Sequence, residues 1–65
     1  MSHPYIIFTG NSKDEMYPVS SAPDCSTAIS EAIKLEATNK CVEATFMPEE
    51  NDDVNVIVYA RYKED

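Results

Sequence analysis

The residues with the densest chemical potential are carboxylates. Glu49, Glu50, Asp52 and Asp53 crowd one short segment, and Asp14 and Glu15 sit on a second polar stretch. Paired carboxylates can do general acid–base work where a shaped pocket raises one pKa, and a chain this short leaves little volume for a pocket. A calcium loop needs Asp-x-Asp-x-Asp-Gly spacing and a distal bidentate Glu, which this run lacks. Electrostatic contact is the chemistry left. Spaced carboxylates can occupy a basic groove where a nucleic-acid-binding protein expects phosphates, which is charge mimicry. The ordinary alternative is a solvated hairpin tip.

Other reactive groups are sparse. His3 is the single histidine and lies near the start of the chain, so it builds neither a Cys-His nor a Ser-His pair on a rigid frame. Cys25 and Cys41 have no CxxC spacing and no second pair, and Gly10 is the one glycine, so a glycine-rich phosphate loop is excluded. A helix between the cysteines, at ~1.5 Å per residue, holds them on the order of 20 Å apart. Bridged Cα atoms must lie within about 7 Å, so an internal disulfide is not expected. The expectation is no catalytic residue, no metal, no cofactor and no enzyme activity.

Charge narrows the partners. The chain carries 12 acidic and 5 basic residues, a net charge of −7. Direct binding to a phosphate backbone wants clustered Lys and Arg. Here Lys13, Lys34, Lys40, Arg61 and Lys63 are scattered along the sequence. A protein partner with a basic surface fits better than nucleic acid. No segment has the basic and apolar regions of a secretory signal or the ~18 apolar residues of a membrane span, so the sequence reads as cytoplasmic.

Those residues must be positioned by a single small α+β domain over residues 1–65. Tyr5–Thr9 is β-branched and aromatic and reads as a strand, followed by turn chemistry at Gly10-Asn11. Met16–Ser20 reads as a short edge strand, because Pro18 cannot donate a ladder hydrogen bond. Ser21-Ala22-Pro23-Asp24 fits a capping box with Pro in the first turn, and Asp24 can equally be the N-cap itself. Cys25, Ala28, Ile29, Ala32, Ile33 and Leu35 then share one helical arc, with Asn39 as a left-handed stop. Cys41–Met47 and Val54–Tyr62 alternate as two further strands around the acidic turn, and Lys63-Glu64-Asp65 reads as a solvated tail. The predicted architecture is an antiparallel three- or four-stranded sheet with one amphipathic helix on one face, in ββαββ or βαββ order.

A lone helix covers one sheet face only. Uniform alternation places Ile6, Phe8, Val42, Ala44, Phe46, Val56, Val58 and Ala60 under the helix. It leaves Tyr5, Ile7, Cys41, Met47, Ile57 and Tyr59 on the uncovered face, beside Thr9, Glu43, Thr45 and Arg61. Apolar patches of that kind mark interaction sites, and Tyr, Met and Arg are enriched at interfaces. Stacking of RNA bases on such aromatics is disfavoured by Glu43 and the overall acidity. The surface expected to bind a partner therefore comprises Ile57, Tyr59 and Arg61 with Glu49, Glu50, Asp52 and Asp53. Tyr17 and Glu36 are candidate ligand contacts, and Glu36 at the helix end needs the rim or a cation such as Lys40 or Arg61.

The functional expectation is a non-enzymatic protein-binding module, an acidic inhibitor or adaptor, with homodimerisation favoured by its small size. It resembles in class the standalone acidic accessory proteins of phages and mobile elements, some of which block host defence proteins. The rival readings are a dimeric small-ligand-sequestering protein and an antitoxin-like structural protein.

Overall fold

A computed structural model describes residues 3–51 and 53–63. Its elements run β1 (Tyr5–Gly10), β2 (Met16–Ala22), α1 (Cys25–Glu36), β3 (Cys41–Phe46) and β4 (Val56–Tyr62). The four strands form one antiparallel sheet in the order β2-β1-β3-β4, with α1 packed across one face. The α+β class, the single helix and the antiparallel sheet are as expected, and the order is ββαββ with four strands. Among the described residues, no helix is long and apolar enough to cross a membrane.

Local chemistry sets the element boundaries. Gly10 pairs with Met16 at the mouth of the first hairpin. A Cβ at residue 10 would stand 2.2 Å from the Glu15 carbonyl oxygen, so the hairpin closes where the chain has its only glycine. β2 runs two residues further than the composition suggested and takes Ser21 and Ala22 into the sheet. Asp24 is accordingly the N-cap: its backbone is extended and its carboxylate accepts from the Thr27 N–H at 2.8 Å. Pro23 stands just before the cap rather than in the first turn. At the other end no residue adopts positive φ. Asn39 stops the helix differently, since its backbone N–H and its side-chain amide both donate to the Leu35 carbonyl at 3.0 Å.

The strand phase departs from uniform alternation. Ile7 lies opposite Ala44, Tyr5 opposite Phe46 and Thr9 opposite Val42, and residues directly opposite in a ladder share a face. Ile7, Val42 and Ala44 are buried with Ala28 and Ala32, and Tyr5 and Tyr59 pack against that cluster. The helix side of β1 is therefore Tyr5, Ile7 and Thr9; Ile6 and Phe8 face the other way. In β4 the register slips between Ala44 and Thr45, where Tyr59 and Ile57 are the successive partners, so Val58 is an extra residue in a bulge. That bulge turns Tyr59 and Arg61 toward the helix and leaves Ile57 and Ala60 on the uncovered face. Val58 keeps its expected contact with the core. For β3 the expected phase holds.

The core is small. Ile7 and Val42 are the only large side chains that are fully buried among the described residues, and the helix buries just Ala28 and Ala32. Every buried side-chain polar atom described has a partner. Thr9 is an example, donating its hydroxyl to the Cys41 carbonyl at 3.0 Å.

Candidate functional site

The uncovered sheet face carries a groove of about 270 Å³. Glu43 and Thr45 of β3 lie along it, and Phe8, Met16, Met47 and Ile57 supply its apolar lining. β1 turns Phe8 into it, the start of β2 adds Met16, and Ile57 of β4 lies on this side as alternation predicted. Ile57 is 51% exposed and Met47 38% exposed. The β1–β2 turn folds over one end of this face. Lys13 and Asp14 reach the groove, and the Lys13 ammonium sits 5.0 Å from the centre of the Tyr62 ring. The Tyr62 hydroxyl donates to Glu43 Oε2. That hydrogen bond, partial burial and the nearby carboxylate charge push the Tyr62 phenol up to about 12.

Beyond one end of the sheet lies the acidic turn. Two tight turns pivot on Asn51, which accepts at its carbonyl from the Val54 N–H and at its side chain from the Asp53 N–H, both at 3.1 Å. Glu49 and Glu50 border a second depression with Pro4, Phe46 and Pro48. Glu49, Glu50 and Asp53 are exposed. Asp52 lies outside the described residues, as do Glu64 and Asp65 of the expected tail.

Tyr59 and Arg61 belong to a different place. Both lie on the helix side, where the Tyr59 hydroxyl donates to Glu36 Oε1 and Arg61 Nε stands 3.8 Å from Glu36 Oε2. The Glu36 hydrogen bond is the main reason the Tyr59 phenol is held above its ordinary pKa, with desolvation adding to it. Lys63 Nζ caps the same helix end by donating to the Glu36 carbonyl at 2.9 Å. Glu36 thus has the cation expected for it in Arg61. Tyr59 and Arg61 leave the expected docking face because the Val58 bulge reverses their phase. Tyr17 is 55% exposed on β2, at the sheet edge opposite β4, so Tyr17 and Glu36 share no pocket within one chain.

One grouping escapes sequence inspection altogether. Lys13, Lys40 and Lys63, scattered in the chain, line a single groove of about 360 Å³ with Cys41, Tyr62 and the Asn11-Ser12 turn. The Lys63 N–H donates to the Lys40 carbonyl at 2.9 Å and brings the two segments together. This groove lies at the end of β3 and β4 away from the acidic turn. Only the ladder register could have revealed it.

The fold and these surfaces define a small antiparallel α+β domain with one open face and a charged turn at its end. No family model, no curated protein and no solved structure matches the chain.

Proposed function

We propose that this chain is a non-enzymatic protein-binding module, an inhibitor or adaptor that seats a partner on its uncovered sheet face. The observation that carries this reading is the groove lined by Phe8, Met16, Met47 and Ile57 on the face that α1 leaves bare. Ile57 and Met47 form an apolar surface open to solvent, of the kind that marks contact sites. Lys13, Asp14, Glu43 and Asn55 add polar groups to the same lining, the mixture of apolar and polar side chains that interfaces carry. The acidic turn adds long-range attraction for a basic partner surface, through Glu49, Glu50 and Asp53. Charge mimicry of nucleic acid by that turn is the specific form of inhibition this arrangement favours.

Affinity capture with the full chain tests the reading. Proteins retained by the parent are identified by mass spectrometry and compared with those retained by Ile57→Arg and by Glu49→Gln/Glu50→Gln/Asp53→Asn. The expected result is loss of the captured partner with Ile57→Arg and weaker, less salt-sensitive capture with the neutralised turn. Capture unchanged by Ile57→Arg rejects the sheet face. Capture with unaltered salt dependence in the neutralised variant rejects mimicry.

A further inference from the structure

We infer that the outer edge of β4 is a self-association surface, taking a second copy of this chain by antiparallel strand pairing. This surface is distinct from the uncovered face, and the inference stands whether or not that face binds a partner.

Four observations converge on this edge. First, β4 ends the sheet, so its outer backbone groups have no strand neighbour among the described residues; such an edge is a template for another strand. The opposite edge is defended, because β2 carries Pro18 and a register shift beside Ile7 and Phe8. The bulge in β4 falls at Val58 and leaves Tyr59–Tyr62 as an uninterrupted stretch.

Second, apolar side chains are exposed on the helix side of this edge. Val56 is 51% exposed on β4 and Ile33 is 50% exposed on α1, while β2 exposes Tyr17 and Val19 beside Pro18. Ile33 lies near Val56 because Glu36, three residues later on the helix, reaches Tyr59 and Arg61, which places this flank of α1 above β4.

Third, the edge is depleted of charge in a strongly acidic chain. At 100° per residue, Ser26, Ile29, Ser30, Ile33 and Ala37 line the β4-side flank of α1, while Glu31 and Lys34 fall on the outer and opposite sides. In β4 the only charge is Arg61, which pairs with Glu36 in its own chain. Two molecules of net charge −7 repel, and they can meet stably only where carboxylates are absent or matched. A register centred on Ala60 places Tyr59 opposite Arg61 of the second copy and keeps the two arginines apart.

Fourth, the lone core is thin, with Ile7 and Val42 as its only fully buried large side chains among the described residues. Domains of this length commonly draw stability from a partner chain. Pairing through one edge, with the other guarded by Pro18, closes as a two-fold dimer and does not propagate.

Sedimentation velocity of the full chain over micromolar to millimolar concentrations tests this. The expected result is a mass rising from 7.3 kDa toward twice that value. The Ile33→Asp/Val56→Asp variant should stay at the single-chain mass, while Tyr17→Asp, on the other edge, should assemble like the parent. Because a variant could lose its fold with its partner, amide exchange on the parent gives a second reading. The Tyr59–Tyr62 amides should slow as concentration rises, with no change in β2. A parent that keeps the single-chain mass throughout, assembly that survives Ile33→Asp/Val56→Asp, or concentration-dependent protection at β2 instead of β4 would each overturn the inference.

Discussion

The Tyr59 hydroxyl donates to the Glu36 carboxylate, and this bond ties the edge strand β4 to the last turn of the helix. Arg61, two residues along the same face, stands 3.8 Å from the other carboxylate oxygen. Glu36 is therefore a tether on which two side chains of β4 converge, with Lys63 holding the adjoining carbonyl. Removing Glu36 should cost more than removing the Tyr59 hydroxyl, because Glu36→Ala strands both Tyr59 and Arg61 while Tyr59→Phe leaves the ion pair. In urea denaturation Glu36→Ala should have the lower midpoint, and the double variant should match Glu36→Ala rather than sum the two losses. Additive losses would show that the two side chains act separately.

The phase of β1 can be tested with two neighbouring isoleucines. Ile7 is fully buried against Ala44, while Ile6 faces the other side and is only half-buried. Ile7→Ala should cost about 3 kcal/mol, within the usual range for a buried large-to-small change. For a chain of this length total stability is only about 3–10 kcal/mol. Ile7→Ala should therefore lose roughly a third or more of the total and melt well below the parent by circular dichroism, and Ile6→Ala should melt close to it. Equal effects would mean that the strand is rotated from the phase described.

Alkaline titration reads the Tyr62–Glu43 contact. The folded phenol is pushed up to about 12, against roughly 10 for an ordinary tyrosine. The neutral phenol is the form favoured by folding, so its contribution is complete below about pH 10 and is lost between about pH 10 and 12. Phenolate absorbance should show Tyr59 and Tyr62 ionising late. Glu43→Gln should bring Tyr62 back toward the ordinary range without moving Tyr59.

Acid titration reads the helix cap. Hydrogen bonds from Thr27 hold the Asp24 carboxylate below its usual range. A lowered folded pKa means the cap's contribution is present above the unfolded value of about 4 and is lost as pH falls through the folded value. Asp24→Ala should lower the melting temperature at neutral pH, with Asp24→Ser restoring much of it. The gap between parent and Asp24→Ala should close in acid.

Thiol accessibility offers a check on the packing. Both cysteines are free, with Cys25 partly exposed at the helix start and Cys41 only 3% exposed. Cys25 should be alkylated first under native conditions, and Cys41 should follow at a rate set by opening of the sheet. Faster labelling of Cys41 would contradict its burial.

Several features were legible because one residue type had one structural use. Pro18 marked an edge, Gly10 a hairpin mouth, and the apolar arc after Asp24 a helix lying on a sheet. The phase of β3 could be read because Glu43 labels its outer face, leaving Val42, Ala44 and Phe46 for the core. No such label exists in β1, where Tyr5-Ile6-Ile7-Phe8 is apolar on both sides, or at Val56-Ile57-Val58-Tyr59. In such runs alternation has two equally good solutions.

The sequence by itself determined the element types, the acidic turn, the lack of a nucleotide loop motif and an α+β sheet with one helix. Tertiary structure alone decided which side of β1, and of β4 beyond Val58, meets that helix. The register of β1 against β3 selected Ile7 over Ile6, and one bulge at Val58 kept Ile57 on the open face while turning Tyr59 and Arg61 to Glu36. The same register gathered Lys13, Lys40 and Lys63 from distant positions into one groove. Side-chain direction in a strand has a period of two, so a single extra residue reverses everything beyond it, and only pairing with a neighbouring strand sets where that residue falls.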